Sequence, residues 1–281
     1  MSETPETPVM CKCGHAGASH TTFGICQECH CNGFVRPSAQ PETPAPTRGL
    51  MRTKLCAELG TAHHGDWVTA LNMIRAAAEA GCDAVKWQHY GAVNPSDPQA
   101  SWLEASRLSL SNQALLRDDC RQRGMEAWAT PFDAQCLSEL VTLGVDRIKI
   151  ASTQAHEPWW WKHDGPLMVS APWGSWRDSG TRPMTWILTA IPLYPTPLEA
   201  VSQASLRDGW SDHVVGLSAC YKAIVEGTQW IEAHLKLPGV TTRDRDWEKT
   251  PEDFRQLRQF AEDCETMRTG ISQVFRDRWR V

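Results

Sequence analysis

The chain has 281 residues, enough for a (β/α)₈ barrel of ~250 residues with a small appendage. Its 41% apolar and 22% charged content excludes wholesale disorder, a collagen-like fibre and a membrane bundle, and no run approaches the ~18 apolar residues of a membrane span. With 28 Lys+Arg against 33 Asp+Glu the net charge is −5, so no global positive field recruits nucleic acid or anionic lipid; the polar, acidic start MSETPETPV is unlike a secretion signal, and a cytoplasmic protein is expected.

Five of the eleven cysteines fall within residues 11–31. There the turns Cys11-x-Cys13-Gly14 and Cys26-x-x-Cys29 are separated by twelve residues, the spacing of a small zinc ribbon. Residues 1–35 are too short to bury a core that offsets their chain entropy, so a structural Zn²⁺ on Cys11, Cys13, Cys26 and Cys29 would have to supply the folding energy. His15 or His20 could replace one thiolate, and redox thiols are the competing reading. Residues 36–52, beginning RPSAQPETPAPTRG, are rich in Pro and small polar residues and read as a linker.

From residue 53 to 281, short apolar runs alternate with helical periods, the pattern of βα units around a parallel sheet. Eight strands are predicted: Lys54–Leu59, Asp83–Gln88, Met125–Thr130, Arg147–Ala151, Pro166–Ser170, Thr185–Ile191, His213–Ala219 and Trp230–Leu235. After the first, Asp66 is expected to cap a helix whose stripe is Val68, Leu71, Ile74, Ala77 and Ala78, ended by Gly81. The last helix is expected to open on Thr250-Pro251-Glu252-Asp253 and bury Phe254, Leu257, Ala261 and Cys264. The predicted fold is a TIM barrel preceded by the zinc-ribbon-like module, with an open doubly wound sheet as the alternative. Ala171–Met184, broken by Pro172, Gly174, Gly180 and Pro183, lacks room for a full helix.

In such barrels reactive side chains gather at the C-terminal strand ends. The predicted strands end at Glu58; Lys86 and Gln88; Thr130; Lys149 and Ser152; Ser170; Tyr194; Ser218 and Cys220; and Glu232 and His234. Strand alternation turns Lys86 and Gln88 to one face, and Glu232 and His234 likewise. Two inward lysines need anions, either Glu58 and Glu232 or a phosphorylated, carboxylated substrate. The hydroxyls of Thr130, Ser152, Ser170 and Ser218 favour the phosphate.

The segments CAELGTAHHGDWVTALNMIRAAAEAGCDAVKWQ, ATPFDAQCLSELVTLGVDRIKIAS, YPTP, VVGLS and WIEAHLKL, in that order across 54–260, resemble the N-acetylneuraminate (sialic acid) synthase family. The resemblance implies a TIM barrel that condenses phosphoenolpyruvate with an aldose such as N-acetylmannosamine, using a divalent metal and releasing phosphate. It assigns Lys86, Thr130, Lys149, Ser152, Ser170 and Ser218 to the phosphoenolpyruvate pocket, Glu58, Glu232 and Lys149 to the chemistry, and Gln88, Tyr194 and Asp244 to the acceptor. It also implies a homodimer, although the C-terminal antifreeze-like domain that contributes to the family's dimer is not found in this sequence.

Departures accompany the resemblance. The family's seventh strand ends Ser-Asp-His, its His a metal ligand beside the His of strand eight, here His234. The predicted strand ends Ser218-Ala219-Cys220, which leaves three readings: Cys220 as the second ligand, a thiolate that would favour zinc over manganese, a metal-free site, or Cys220 as a buried space-filler. Ser211-Asp212-His213 precedes the apolar run Val214–Leu217 and is expected at the barrel's bottom, with His213 a decoy. Gln154, Pro192, Ala233 and Arg245 replace family residues. His63 and His64 are expected in a solvated loop, with substrate contact as the alternative, Trp159-Trp160-Trp161 as a packed cover, with stacking on a sugar ring as the alternative, and the charge run Arg243–Lys249 as a solvated loop apart from Asp244. The expected function is a phosphoenolpyruvate-dependent synthase with small-molecule substrates. The alternative is a catalytically degenerate barrel acting as a binding scaffold with the ribbon docking a partner. Nucleic-acid binding is disfavoured because the ribbon region carries only Lys12 and Arg36 as cations.

Overall fold

The computed structural model describes residues 52–91, 93, 96–172, 185–202, 204, 206, 209–240, 242 and 246–279, all within the unit Leu50–Val281, the second of two compact units of the chain. The zinc-ribbon-like module with Cys11, Cys13, Cys26 and Cys29, the linker up to residue 51, most of Ala171–Met184, and Asp244 lie outside the described residues.

Among the described residues eight parallel strands close into a barrel in sequence order: β1 (Lys54–Glu58), β2 (Ala84–His89), β3 (Glu126–Pro131), β4 (Arg147–Ile150), β5 (Leu167–Pro172), β6 (Thr185–Ala190), β7 (Gly209–Asp212) and β8 (Trp230–His234). The pairing of β8 with β1 excludes the open sheet. The surrounding helices are α1 (Trp67–Glu79), α2 (Ala100–Ala105), α3 (Leu110–Gln122), α4 (Ala134–Leu143), α5 (Leu198–Val201), α6 (Ser218–Val225) and α7 (Pro251–Trp279). Between β4 and β5 only two 3₁₀ turns stand in for a helix, Ser152–Gln154 and Pro158–Trp160. Trp160 is fully buried and its indole donates to the Gln154 carbonyl at 2.9 Å, tying the two turns together, whereas Trp161 is exposed. No described helix is long and apolar enough to cross a membrane.

The helix ends follow the local chemistry. Asp66 caps α1 by accepting from the Val68 and Thr69 amides, but the buried stripe is Ala70, Met73, Ile74 and Ala77, rotated from the expected one so that Val68 faces solvent. At α7, Asp253 accepts from the Thr250 amide at 2.7 Å and the Thr250 hydroxyl accepts from the Asp253 amide at 3.2 Å, a reciprocal capping box. Phe254, Leu257, Ala261 and Cys264 are buried as expected.

Inside the barrel, Cys56, Ala84, Trp128, Met168, Leu188 and Trp230 form a closed apolar layer, with the Trp128 and Trp230 rings 4.6 Å apart. From below, the Lys54 ammonium sits 5.1 Å from the Trp230 ring and the Arg147 guanidinium 5.4 Å from that of Trp128. Trp87 and Trp210 pack outward against the helices, their indoles donating to Gln113 Oε1 and Asp212 Oδ1. Part of the tryptophan-rich composition is thus barrel filling.

The seventh strand departs from expectation, because it runs Gly209–Asp212 rather than His213–Ala219. Trp210 is its one large apolar residue, so its pattern is faint. The apolar run that follows is a loop in which Val215 is 59% exposed and Val214 bridges to Thr196. Gly209 opens the strand because a Cβ there would lie 2.1 Å from Leu188 Cδ2 and 3.0 Å from the Ile187 carbonyl. Gly209→Ala is expected to overpack the barrel layer and lower stability by about 1–3 kcal/mol, read as a reduced thermal midpoint; an unchanged midpoint would mean that the layer yields freely.

Candidate active site

Two residues further along the strands, the apolar layer gives way to charge. Glu58 and Lys86 are register partners on β1 and β2. The Lys86 ammonium contacts Glu58 Oε2 and lies 3.2 Å from Glu232 Oε1. Lys149 Nζ from β4 is 3.0 Å from Glu232 Oε2 and 3.3 Å from Oε1, and the Ser211 hydroxyl donates to Glu232 Oε1 at 3.5 Å. Glu58 Oε1 accepts from the Gly60 amide at 2.6 Å. All four charged side chains are buried, where two cations and two anions balance. Burial would raise the Glu232 carboxyl, but Lys149 and Lys86 hold it far below the usual carboxylate range. Burial also pulls the Lys86 ammonium down to about 8, while Glu232 acts in the opposite direction.

Beside this cluster, the Thr130 and Ser170 hydroxyls are buried without a hydrogen-bond partner. Both residues share the inward parity of the lysines, and Thr130 is the register partner of Gln88. A buried hydroxyl left unpaired costs about 1–3 kcal/mol, so two of them facing one cationic cluster mark a place where a ligand's oxygens complete the bonding.

Above the lysines lie two histidines. His213 directly follows β7 and His234 ends β8, with ring centroids 5.5 Å apart. Burial pushes His213 down to about 3 and lowers His234 well below its ordinary value, so both imidazoles are neutral at physiological pH. His213 Nδ1 is buried with no partner. Tyr194 packs edge-on to His213 at 4.5 Å, and the Trp247 ring lies 6.4 Å from each histidine and 5.9 Å from Tyr194. Two adjacent neutral imidazoles, one with an unused buried nitrogen, fit a divalent cation whose remaining positions are filled by substrate and water oxygens.

Of the residues singled out from the sequence, Glu58, Lys86, Thr130, Lys149, Ser170, Glu232 and His234 converge here. Gln88 is half-buried at the end of β2, Ser152 half-buried in its 3₁₀ turn, and Tyr194 exposed at the rim. The placement of β7 corrects three expectations. His213 stands at the mouth beside His234 and is no decoy. Ser218 is exposed at the start of α6 rather than at a strand end. Cys220, fully buried in α6, has its thiol beside the outward-facing Asp212, and burial drives that thiol up; its place in α6 takes it away from the histidine pair. His63 is also no solvated loop residue: it is 2% exposed, its Nδ1 accepts from the Gly65 amide at 3.1 Å, and burial lowers it to about 4. His64 is exposed, edge-on to Trp102. Sequence reasoning missed Ser211, which the Ser-Asp-His motif offered directly, and Trp247 and Lys249, which only the fold brings to the site.

Among the described residues, one other group has metal-like composition. Ligand atoms of His89, Cys136 and Glu139 lie within 4.8 Å of one another. The surrounding hydrogen bonds decide against a cation. Trp87 can only donate and does so to Gln113 Oε1, while the Leu108 carbonyl can only accept and takes Gln113 Nε2, which fixes the amide orientation. Gln113 Nε2 therefore also donates to His89 Nδ1, leaving the ring proton on Nε2, where it donates to Glu139 at 2.7 Å. The nitrogen facing the cluster is a donor in a satisfied relay.

The fold and its mouth define a TIM barrel with a buried cation–hydroxyl cluster beneath a neutral imidazole pair. A family model described as the NeuB family matches residues 73–158 and 178–272, and the chain belongs to that family. It is 27% identical over 269 residues to an N,N'-diacetyllegionaminic acid synthase of Legionella pneumophila subsp. pneumophila, covering 79% of this chain and 75% of that protein. It is 23% identical over 268 residues to the protein of the same name from Campylobacter jejuni subsp. jejuni, covering 80% of each. Among solved structures, the N-acetylneuraminic acid (sialic acid) synthetase of Leptospira borgpetersenii in complex with citrate aligns with a TM-score of 0.69 and 22% identity, over 83% of this chain and 94% of that one. The spore coat polysaccharide biosynthesis protein of Bacillus subtilis aligns with a TM-score of 0.63 and 23% identity, over 78% and 70%. The last two speak for the fold alone.

Proposed function

We propose that the protein is a phosphoenolpyruvate-dependent synthase of the sialic acid synthase type. It forms a carbon–carbon bond between phosphoenolpyruvate and an aldose or amino-sugar-like acceptor and releases phosphate. The observation that carries this reading is the pair of buried, unpartnered hydroxyls of Thr130 and Ser170, which share the inward parity of Lys86 and Lys149, a donor set suited to a phosphorylated carboxylate. The relatives named as legionaminic acid synthases support it.

In this reading Lys86 and Lys149 exchange part of their contact with Glu58 and Glu232 for the phosphate and carboxylate, and the two hydroxyls donate to the same oxygens. The acceptor's aldehyde lies above, at the imidazole pair, with Tyr194 and Gln88 along its flanks. The enolpyruvate C3 bonds to the aldehyde carbon while water adds at C2 and the C2-bound phosphate leaves. Glu58 and Glu232 would orient that water, and of its two protons one passes to the oxygen of the former aldehyde and the other leaves with the phosphate. His213 and His234 would hold a divalent cation, manganese or zinc, which when bound supplies Lewis-acid polarisation of the acceptor carbonyl.

The test is calorimetric titration of phosphoenolpyruvate into the purified chain with and without Mn²⁺, followed by acceptor screening through phosphate release. Saturable binding without metal, with acceptor-dependent phosphate release on adding it, is the expected result. No binding under either condition would transfer the barrel to the scaffold reading.

A further inference from the structure

Lys249 is buried, 1% exposed; its ammonium pairs with Asp212 Oδ2 at 2.7 Å and donates to the Val214 carbonyl at 2.6 Å and the Trp247 carbonyl at 2.9 Å. The first two partners flank His213 in the chain, one on either side. The Lys249 backbone grips the other histidine in the same way. Its amide donates to the His234 carbonyl at 2.7 Å, and its carbonyl accepts from the Lys236 amide at 2.9 Å, forming the isolated bridge with Leu235. A single residue thereby fixes the backbone around both imidazoles and, through the Trp247 carbonyl, the segment carrying the indole beside them. Asp212 is held from its far side by the Trp210 indole at 2.7 Å.

A buried ion pair adds little net stability over an apolar pair of similar volume, so stability alone does not account for a lysine here. We propose that Lys249 is a positioning residue that sets the spacing of His213 and His234 for a divalent cation. The inference rests on the reading of that pair as a cation site.

The test uses the full chain and Mn²⁺, with the variants Lys249→Met and the charge-balanced Lys249→Met/Asp212→Asn, which leaves no lone buried carboxylate. Calorimetry is expected to show Mn²⁺ affinity at least tenfold weaker in both. Metal-free phosphoenolpyruvate affinity should stay at the wild-type level, and kcat should fall without a change in KM for phosphoenolpyruvate. A folded variant that binds Mn²⁺ as tightly as wild type would overturn the positioning role while leaving the cation site standing. Wild type that binds no Mn²⁺ at the barrel would overturn the cation site and, with it, the positioning role. Loss of the fold in the charge-balanced variant, read by circular dichroism, would also overturn it, because Lys249 would then serve folding rather than spacing.

Discussion

Lys149→Met is expected to weaken phosphoenolpyruvate binding by at least about a hundredfold, roughly 3 kcal/mol, and to destabilise the fold as well. Both effects follow from the geometry around Glu232. Lys149 sits 3.0 Å and Lys86 3.2 Å from opposite oxygens of that carboxylate, and Lys86 also contacts Glu58, so removing Lys149 leaves two buried carboxylates on one ammonium. The fold loses its charge balance, and the ligand loses one of the two charge-assisted donors that compensate its own desolvation. Pairing the change with Glu232→Gln should recover stability without recovering affinity. Calorimetry and thermal unfolding on the same preparations separate the two effects, and unchanged affinity in Lys149→Met would mean that the anion binds elsewhere.

His213→Ala is expected to lower metal-dependent turnover by about three orders of magnitude. The several kcal/mol supplied by a bound cation at the reacting carbonyl translate at ~1.4 kcal/mol per decade. Metal-free phosphoenolpyruvate affinity should hold, because the lysines and hydroxyls lie deeper in the barrel. Cys220→Ser and Ser218→Ala should turn over at the wild-type rate, since the structure puts both residues in α6. Reversal of this pattern in steady-state phosphate release, with Cys220→Ser inactive and His213→Ala active, would refute the assignment of His213 to the mouth.

The contrast between those variants marks where the sequence was legible and where it was not. Seven strands and the capped ends of α1 and α7 could be read because apolar alternation and capping chemistry are local signals. Glu58, Lys86, Thr130, Lys149, Ser170 and Glu232 could be placed because inward parity follows directly once a strand is known. Strand β7 failed because Gly209 must be small to clear Leu188, leaving Trp210 as its only strong apolar residue, while the neighbouring Val214–Leu217 run imitates a strand without being one. That displacement moved the histidine pair, and Cys220 and Ser218 were drawn in as substitutes. Lys249 was illegible for another reason. Its partners Asp212 and Val214 are more than thirty residues away, and nothing in a run of alternating charges distinguishes the one lysine that folds inward.

The apolar layer of Trp128, Trp230, Met168 and Leu188 also bears on access. Among the described residues it stoppers the barrel below the lysines, so Lys86 and Lys149 stand at the blind end of a shaft whose rim carries His213 and Trp247. For the proposed synthase this sets an order: a ligand at the rim would stand in the path of one on the lysines, so the deep ligand would enter first.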